Sequence, residues 1–348
     1  MRVLAFPAFA SRSNNPYTSS LYDALSTLGV EVHEYRQLSA WAPWTRRYDV
    51  FHVHWPEVPL NRSNWTSRFD SRAFLLGIDV LRARGTKLVW TVHNLRSHTQ
   101  RFPEREARFF QSFTSKVDGF ISLSRSGEAA ARERFPALAP RPGFVIPHHH
   151  YRGAYEDRVT RAEARRELGV RPEARLLLFF GQILAYKNLP ALVTAARALS
   201  ASEGVELLVA GRPKTEADER ELRAAAAGDP RIRLELGFVP HQRAQHYFRA
   251  ADLVVLPYKE ILNSGAALLG LSFDRPVLLP ELGACRELGE QIQGDWVMNY
   301  SELAPEALLG ALDRARRLPE HTDGRQLAAL DVEHGARQTL EAYRSLSG

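Results

Sequence analysis

Short apolar runs alternate with longer amphipathic stretches along almost the whole chain. VLAF, YDVFHVHW, KLVWTVH, VDGFISL and GFVIP are rich in apolar residues at successive positions, as strands buried on both faces require. Between them, NPYTSSLYDALSTLG, SRAFLLGIDVLRARG and EREARFFQSFTS repeat their apolar residues at helical spacing. The alternation pauses after His150 in the charged stretch YRGAYEDRVTRAEARRELGVRPEAR. It resumes with LLLFFG, VELLVAG, IRLELG, ADLVVLP and PVLLP, again separated by helical patterns. This predicts an α/β fold of two doubly wound, Rossmann-like parallel sheets. The first domain is expected over 1–152 and the second over 153–330. A last helix within 331–348 is placed to cross back to the first.

The length of 348 residues suits two domains, and 45% hydrophobic with 25% charged residues is a globular composition. A single cysteine, Cys285, excludes an internal disulfide framework and fits a cytoplasmic protein. The apolar start is too short for a signal peptide, and no run reaches membrane-span length. Charge changes the picture more. Residues 1–150 hold 20 Lys+Arg against 12 Asp+Glu, so the whole +6 excess lies in the first half. Anionic lipid or a lipid pyrophosphate could be drawn there, or the basic residues could be ordinary solvated helix faces. Without a basic stripe interleaved with aromatics, nucleic acid is not an expected partner.

Ligands of doubly wound sheets bind beyond the carboxyl ends of the strands, so chemistry is sought in the turns that follow them. In FFGQILAYKN, Gly181 ends a strand and Lys187 precedes a helix. Free amides and a lysine at a helix start favour an anion. In LPYKEILNSGAALLGLSF, Asn263-Ser264-Gly265 opens an apolar helix with small residues and bare amides. Either turn alone could be an ordinary helix start. Two in one half point to a diphosphate.

These turns carry a resemblance. The second half resembles the donor domain of GT-B glycosyltransferases, including the spacing from the Gly-x5-Lys-Asn turn to ADLVVLPY. NPYTSSLYDAL, YDVFHVHWPE, TVHNLRSH, HHHYR, AYKN and LPYKEILNSGAALLGLSFDRPVL follow in order from about residue 14 to 297. Together they resemble the xanthan-type GDP-mannose:glycolipid β-1,4-mannosyltransferases of glycosyltransferase family 94. The resemblance implies a GT-B fold, with its two domains facing a central cleft. It implies a hexosyltransferase that moves mannose from GDP-mannose to a lipid-linked glycan in exopolysaccharide synthesis. Transfer would be inverting and need no metal or other cofactor. The enzyme would sit in the cytoplasm, peripheral to the inner membrane. Donor binding would fall to Gly181, Lys187, Arg212, Val239, Tyr258, Asn263, Ser264, Gly265 and Ala266.

Two departures matter. The Asn263 region and Leu269 stand where many retaining GT-B enzymes carry a Glu-x7-Glu pair. Leu184 and Ala185 stand where an arginine often precedes the lysine. A retaining enzyme using another nucleotide sugar, a nucleotide-sugar epimerase and a non-catalytic binding module are the competing readings.

Inverting transfer needs a base for the acceptor hydroxyl. His93 and Glu57 each follow a first-half strand. A neutral imidazole is a competent base near pH 7, whereas Glu57 would need a raised pKa. Asn15, Tyr17, His54, Asn94 and His150 are candidates for the acceptor or sugar side. His52 and His54 share one strand face. With His148, His149 and His150 they invite a metal reading, but no acidic or cysteine partner stands at metal-site spacing. His52 is expected to be packed beside its strand.

Overall fold

The structure is a computed structural model that describes residues 1–13, 15–35, 46–61, 64–96 and 102–348. Asn14 of the Ser11–Tyr17 loop and Ser97–His98 of TVHNLRSH lie outside the described residues. The chain divides into two compact units, Met1–His149 with Leu330–Gly348, and His150–Ala329. These divisions fall three residues and one residue before the boundaries expected at 152 and 330. The final helix, Val332–Ser347, clusters with the first unit.

The first unit holds a six-stranded sheet of β1 (Arg2–Phe6), β2 (Glu31–Glu34), β3 (Val50–Val53), β4 (Lys87–Val92), β5 (Gly119–Ser122) and β6 (Gly143–Val145). Every pair is parallel, in the order β2-β1-β3-β4-β5-β6. Both faces are buried because successive strand residues point to opposite sides. Phe51, Val53, Leu88 and Trp90 pack on one side with Phe74, Ile78, Phe109, Phe110 and Phe113. Val3, Ala5, Val50 and Val89 pack on the other with Leu21, Tyr22, Ala336, Leu340 and Tyr343. Helices Tyr17–Thr27 and Val332–Ser347 supply that second layer.

The second unit repeats the plan with β7 (Arg175–Phe180), β8 (Val205–Gly211), β9 (Ile232–Leu236), β10 (Leu253–Val255), β11 (Val277–Pro280) and β12 (Val297–Tyr300). Its order, β12-β11-β10-β7-β8-β9, is the Rossmann order. In such sheets the crevice lies where the strand order reverses, between β1 and β3 in the first unit and between β7 and β10 in the second.

Candidate active site

In the second unit the two expected turns emerge at that reversal. After β7 the backbone turns through Gly181 at φ 128°. Gly211, which ends β8, lies so close that a Cβ there would stand 1.9 Å from the Gly181 carbonyl oxygen. Only glycine fits, and the loops beyond stay paired through the Ile183 amide donating to the Arg212 carbonyl at 2.9 Å. Ala185–Lys187 form a 3-10 turn that ends on Asn188 in the left-handed region. The Lys187 side chain returns over the turn, its Nζ at 3.5 Å from where a Gly181 Cβ would stand. Desolvation lowers its ammonium to about 8, and among the described residues no carboxylate pairs with it. A half-buried cation without a counter-ion favours an incoming anion.

The loop after β10 is tied to this turn, since the Lys259 amide donates to the Tyr186 carbonyl at 2.8 Å. Ser264 caps the helix Gly265–Ser272: its Oγ accepts from the Ala267 amide at 3.1 Å and shares a 2.8 Å hydrogen bond with buried Tyr258. The first intrahelical bond runs from Leu268 to the Ser264 carbonyl, so the Gly265 and Ala266 amides precede it. Gly181, Lys187, Tyr258, Asn263, Ser264, Gly265 and Ala266 thus all belong to the two turns at the reversal. Arg212 is exposed on the loop after β8, and Val239 is half-buried three residues beyond β9. Leu269 is buried in the helix.

In the first unit the residue after β3, His54, meets the residue after β4, His93, at 3.1 Å between His54 Nδ1 and His93 Nε2. Trp55 stacks on His93 at 4.5 Å between ring centroids. Tyr17, which begins its helix, meets His93 edge-on at 5.1 Å and stacks on His149 at 4.7 Å. Asn15 shapes the entry to that helix, its Oδ1 accepting from the Tyr17 amide at 3.1 Å. Glu34 gathers the loop before it, accepting from the amides of Ala8, Phe9 and Ala10 at 3.0, 2.6 and 2.9 Å. His150 falls in the second unit, where its Nδ1 accepts from the Arg152 amide at 3.2 Å.

Desolvation separates the two candidate bases. It pushes His93 and His54 well below the usual imidazole value and so keeps both neutral. It raises Glu57 to about 7, opposed first by a backbone hydrogen bond at Glu57 itself and less by a hydrogen bond from Asn94. Burial thus shifts Glu57 upward and His93 downward. Among the described residues no group of three His, Cys, Asp or Glu side chains is placed to hold a metal ion. Instead the histidines bond to one another and to hydroxyls. Tyr22, Thr91 and Tyr343, which the sequence reading did not single out, belong to this cluster. Their signal was the His52/His54 alternation, which marks one polar stripe on a buried face.

The family of glycosyl transferases group 1 matches residues 174–315. A GDP-mannose:glycolipid 4-beta-D-mannosyltransferase of Xanthomonas campestris pv. campestris is 33% identical over 312 residues, covering 88% of this chain and 82% of the relative. A D-inositol 3-phosphate glycosyltransferase of Nocardia farcinica is 30% identical over 53% of this chain and 43% of its own. Among solved structures, Anabaena HepE in complex with UDP and glucose aligns with a TM-score of 0.66 at 16% identity, covering 99% of this chain and 100% of that one. The E. coli trehalose-6-phosphate structure bound with UDP-2-fluoro glucose reaches 0.66 at 10% identity, over 99% of each chain. The fold is GT-B, and the chain belongs to the family of the Xanthomonas 4-beta-D-mannosyltransferases as a glycosyltransferase that moves a hexose.

Proposed function

We propose that this enzyme transfers mannose from GDP-mannose, with inversion and without a metal, to a lipid-linked glycan in exopolysaccharide synthesis. The observation that carries the reading is the 33% identity with a GDP-mannose:glycolipid relative across 88% of the chain. The donor diphosphate is held by Lys187 and the amides of Gly265 and Ala266, which offset its charge as it leaves. Glu57 accepts the acceptor hydroxyl proton while the oxygen bonds the anomeric carbon and the bond to the diphosphate breaks. A carboxylate at about 7 suits this work at neutral pH better than an imidazole held far below it.

The reading extends to the cytoplasmic face of the inner membrane. Phe69, Leu76 and Val80 are 73%, 64% and 42% exposed on the helix Asn64–Ala83, with exposed Arg72 among them. No helix among the described residues is long and apolar enough to cross a membrane. The apolar stripe and the basic excess of residues 1–150 support docking on an anionic surface.

A thermal-shift panel of GDP, UDP, ADP and dTDP tests the donor, with a shift confined to UDP overturning the GDP assignment. Glu57→Gln is expected to keep the GDP shift while turnover falls about 100-fold or more. Near-normal turnover removes Glu57 from the role.

A further inference from the structure

The second unit has a cavity of about 200 Å³ at the amino ends of its strands, the edge of the sheet opposite the two donor turns. It opens where Arg275 and Pro276 lead into β11 and Trp296 leads into β12, and Arg161, Arg316 and Glu320 also line it. Arg275 is only 9% exposed, yet no carboxylate pairs with it among the described residues. Its Nε donates to the Phe273 carbonyl at 3.1 Å and its Nη1 to the Ala251 carbonyl at 3.3 Å. Its Nη2 has no acceptor among the described residues and is not wholly buried, so it is left to the cavity.

A second cation converges on the same point. Arg161 Nη1 donates to the same Ala251 carbonyl at 3.0 Å, so two guanidinium groups share one neutral oxygen. The neighbouring carboxylates are already engaged. Asp252 accepts from Arg161 at 2.5 Å, from Arg165 at 2.7 Å and from the Leu176 amide at 2.7 Å. Asp274 accepts from Arg152, from the amide and hydroxyl of Thr322, and from His321. Arg249 is paired with Asp157 at 2.6 Å. Arg316 and Glu320, both exposed at the rim, balance one another in charge. Arg275 and one of the two arginines on Asp252 therefore remain as uncompensated positive charge. Burial and the like charges of Arg161 and Arg249 lower the Arg275 guanidinium to about 10, which leaves it charged at neutral pH. Capping the end of the helix Gly265–Ser272 accounts for its Nε bond. It does not account for a second arginine on the Ala251 carbonyl, or for a donor left at a cavity wall.

We propose that this cavity binds a phosphate group, free or carried by a small sugar, between the guanidinium groups of Arg275 and Arg161 with Arg316 at the rim. Planar guanidinium forks suit phosphate oxygens, and a dianion matches the excess of two positive charges. The site is separate from the donor turns, which leave the opposite ends of the same parallel strands. Its ligand would join the segment entering β11 to the segment that follows the helix Pro305–Ala315. The proposal does not depend on which nucleotide sugar the enzyme uses.

Titration calorimetry with inorganic phosphate and with mannose 6-phosphate, in chloride buffer of constant ionic strength, provides the test. The native protein and Lys187→Ala are expected to bind one equivalent with similar affinity. Arg275→Met is expected to weaken binding about tenfold or more, as loss of a hydrogen bond between charged groups does. Arg316→Ser, an exposed change that keeps the test open should Arg275→Met not fold, is expected to weaken it about threefold. The GDP-induced thermal shift of Arg316→Ser should match that of the native protein. Tighter binding of inorganic phosphate assigns the free ion, and tighter binding of mannose 6-phosphate assigns a phosphorylated sugar. Absence of binding to the native protein, or binding lost in Lys187→Ala and retained in the arginine variants, overturns the proposal.

Discussion

Lys187 shows what a single residue contributes. Its stem folds back over a glycine, and loss of hydration leaves its ammonium near 8 rather than 10.5. A bound diphosphate favours the charged form and raises that value. Because the free state loses its proton first as pH rises, donor affinity is expected to fall as pH moves from 7 to 9. Titration calorimetry with GDP at both pH values reads this directly. Lys187→Arg, charged throughout the range, is expected to weaken binding yet flatten its pH dependence. A pH-independent native affinity counts against contact between Lys187 and the phosphates. The lysine and its turn were legible in sequence because glycine, cation and helix start stand within a few residues. Glu57 was legible as a position only. Its raised pKa comes from burial that folding creates.

At the level of elements, ten of the twelve described strands were legible because parallel strands covered on both faces leave apolar runs, whereas the edge strands β2 and β12, EVHE and VMNY, are only partly buried and carry no such run. Gly181 was read as the end of its strand, and its close approach to Gly211 supplies the physical reason. The helix Asn64–Ala83 was harder to read. Phe74, Ile78 and Leu81 enter the core while Phe69, Leu76 and Val80 face outward, so periodicity alone did not say which stripe was buried. The outward stripe yields a prediction. The native protein is expected to pellet with anionic liposomes at low salt and to be released as salt rises. Phe69→Ser with Leu76→Ser should weaken this about tenfold or more, given roughly 1.5–3 kcal/mol for each side chain fully buried. The GDP-induced thermal shift should be unchanged. Failure of the native protein to pellet removes the docking face.

Over the whole molecule, the least legible feature is contact between distant parts of the sequence. Tyr343 meets His52 across a separation of 291 residues, and no local pattern joins them. The same holds for Glu34, whose carboxylate organises a loop about 25 residues earlier. The last helix is therefore part of the first unit's core, with Ala336, Leu340 and Tyr343 packed against the sheet's second layer. Leu340→Ala is expected to cost the first unit about 2–5 kcal/mol in chemical denaturation. The nucleotide-dependent shift of the second unit should keep its size. Equal loss in both units would mean that they unfold as one.

That placement also sets an order of events during synthesis. The strands of the first sheet leave the ribosome early, but the helix that covers their second layer is made only after residues 150–329. At ordinary translation speeds that interval lasts roughly 10–40 s. Throughout it, Tyr22, Val50 and Val89 lack the cover that Leu340 and Tyr343 provide in the finished protein. The second unit, continuous in sequence, can close meanwhile. The first unit is thus expected to complete its packing only after the second, when the final helix arrives.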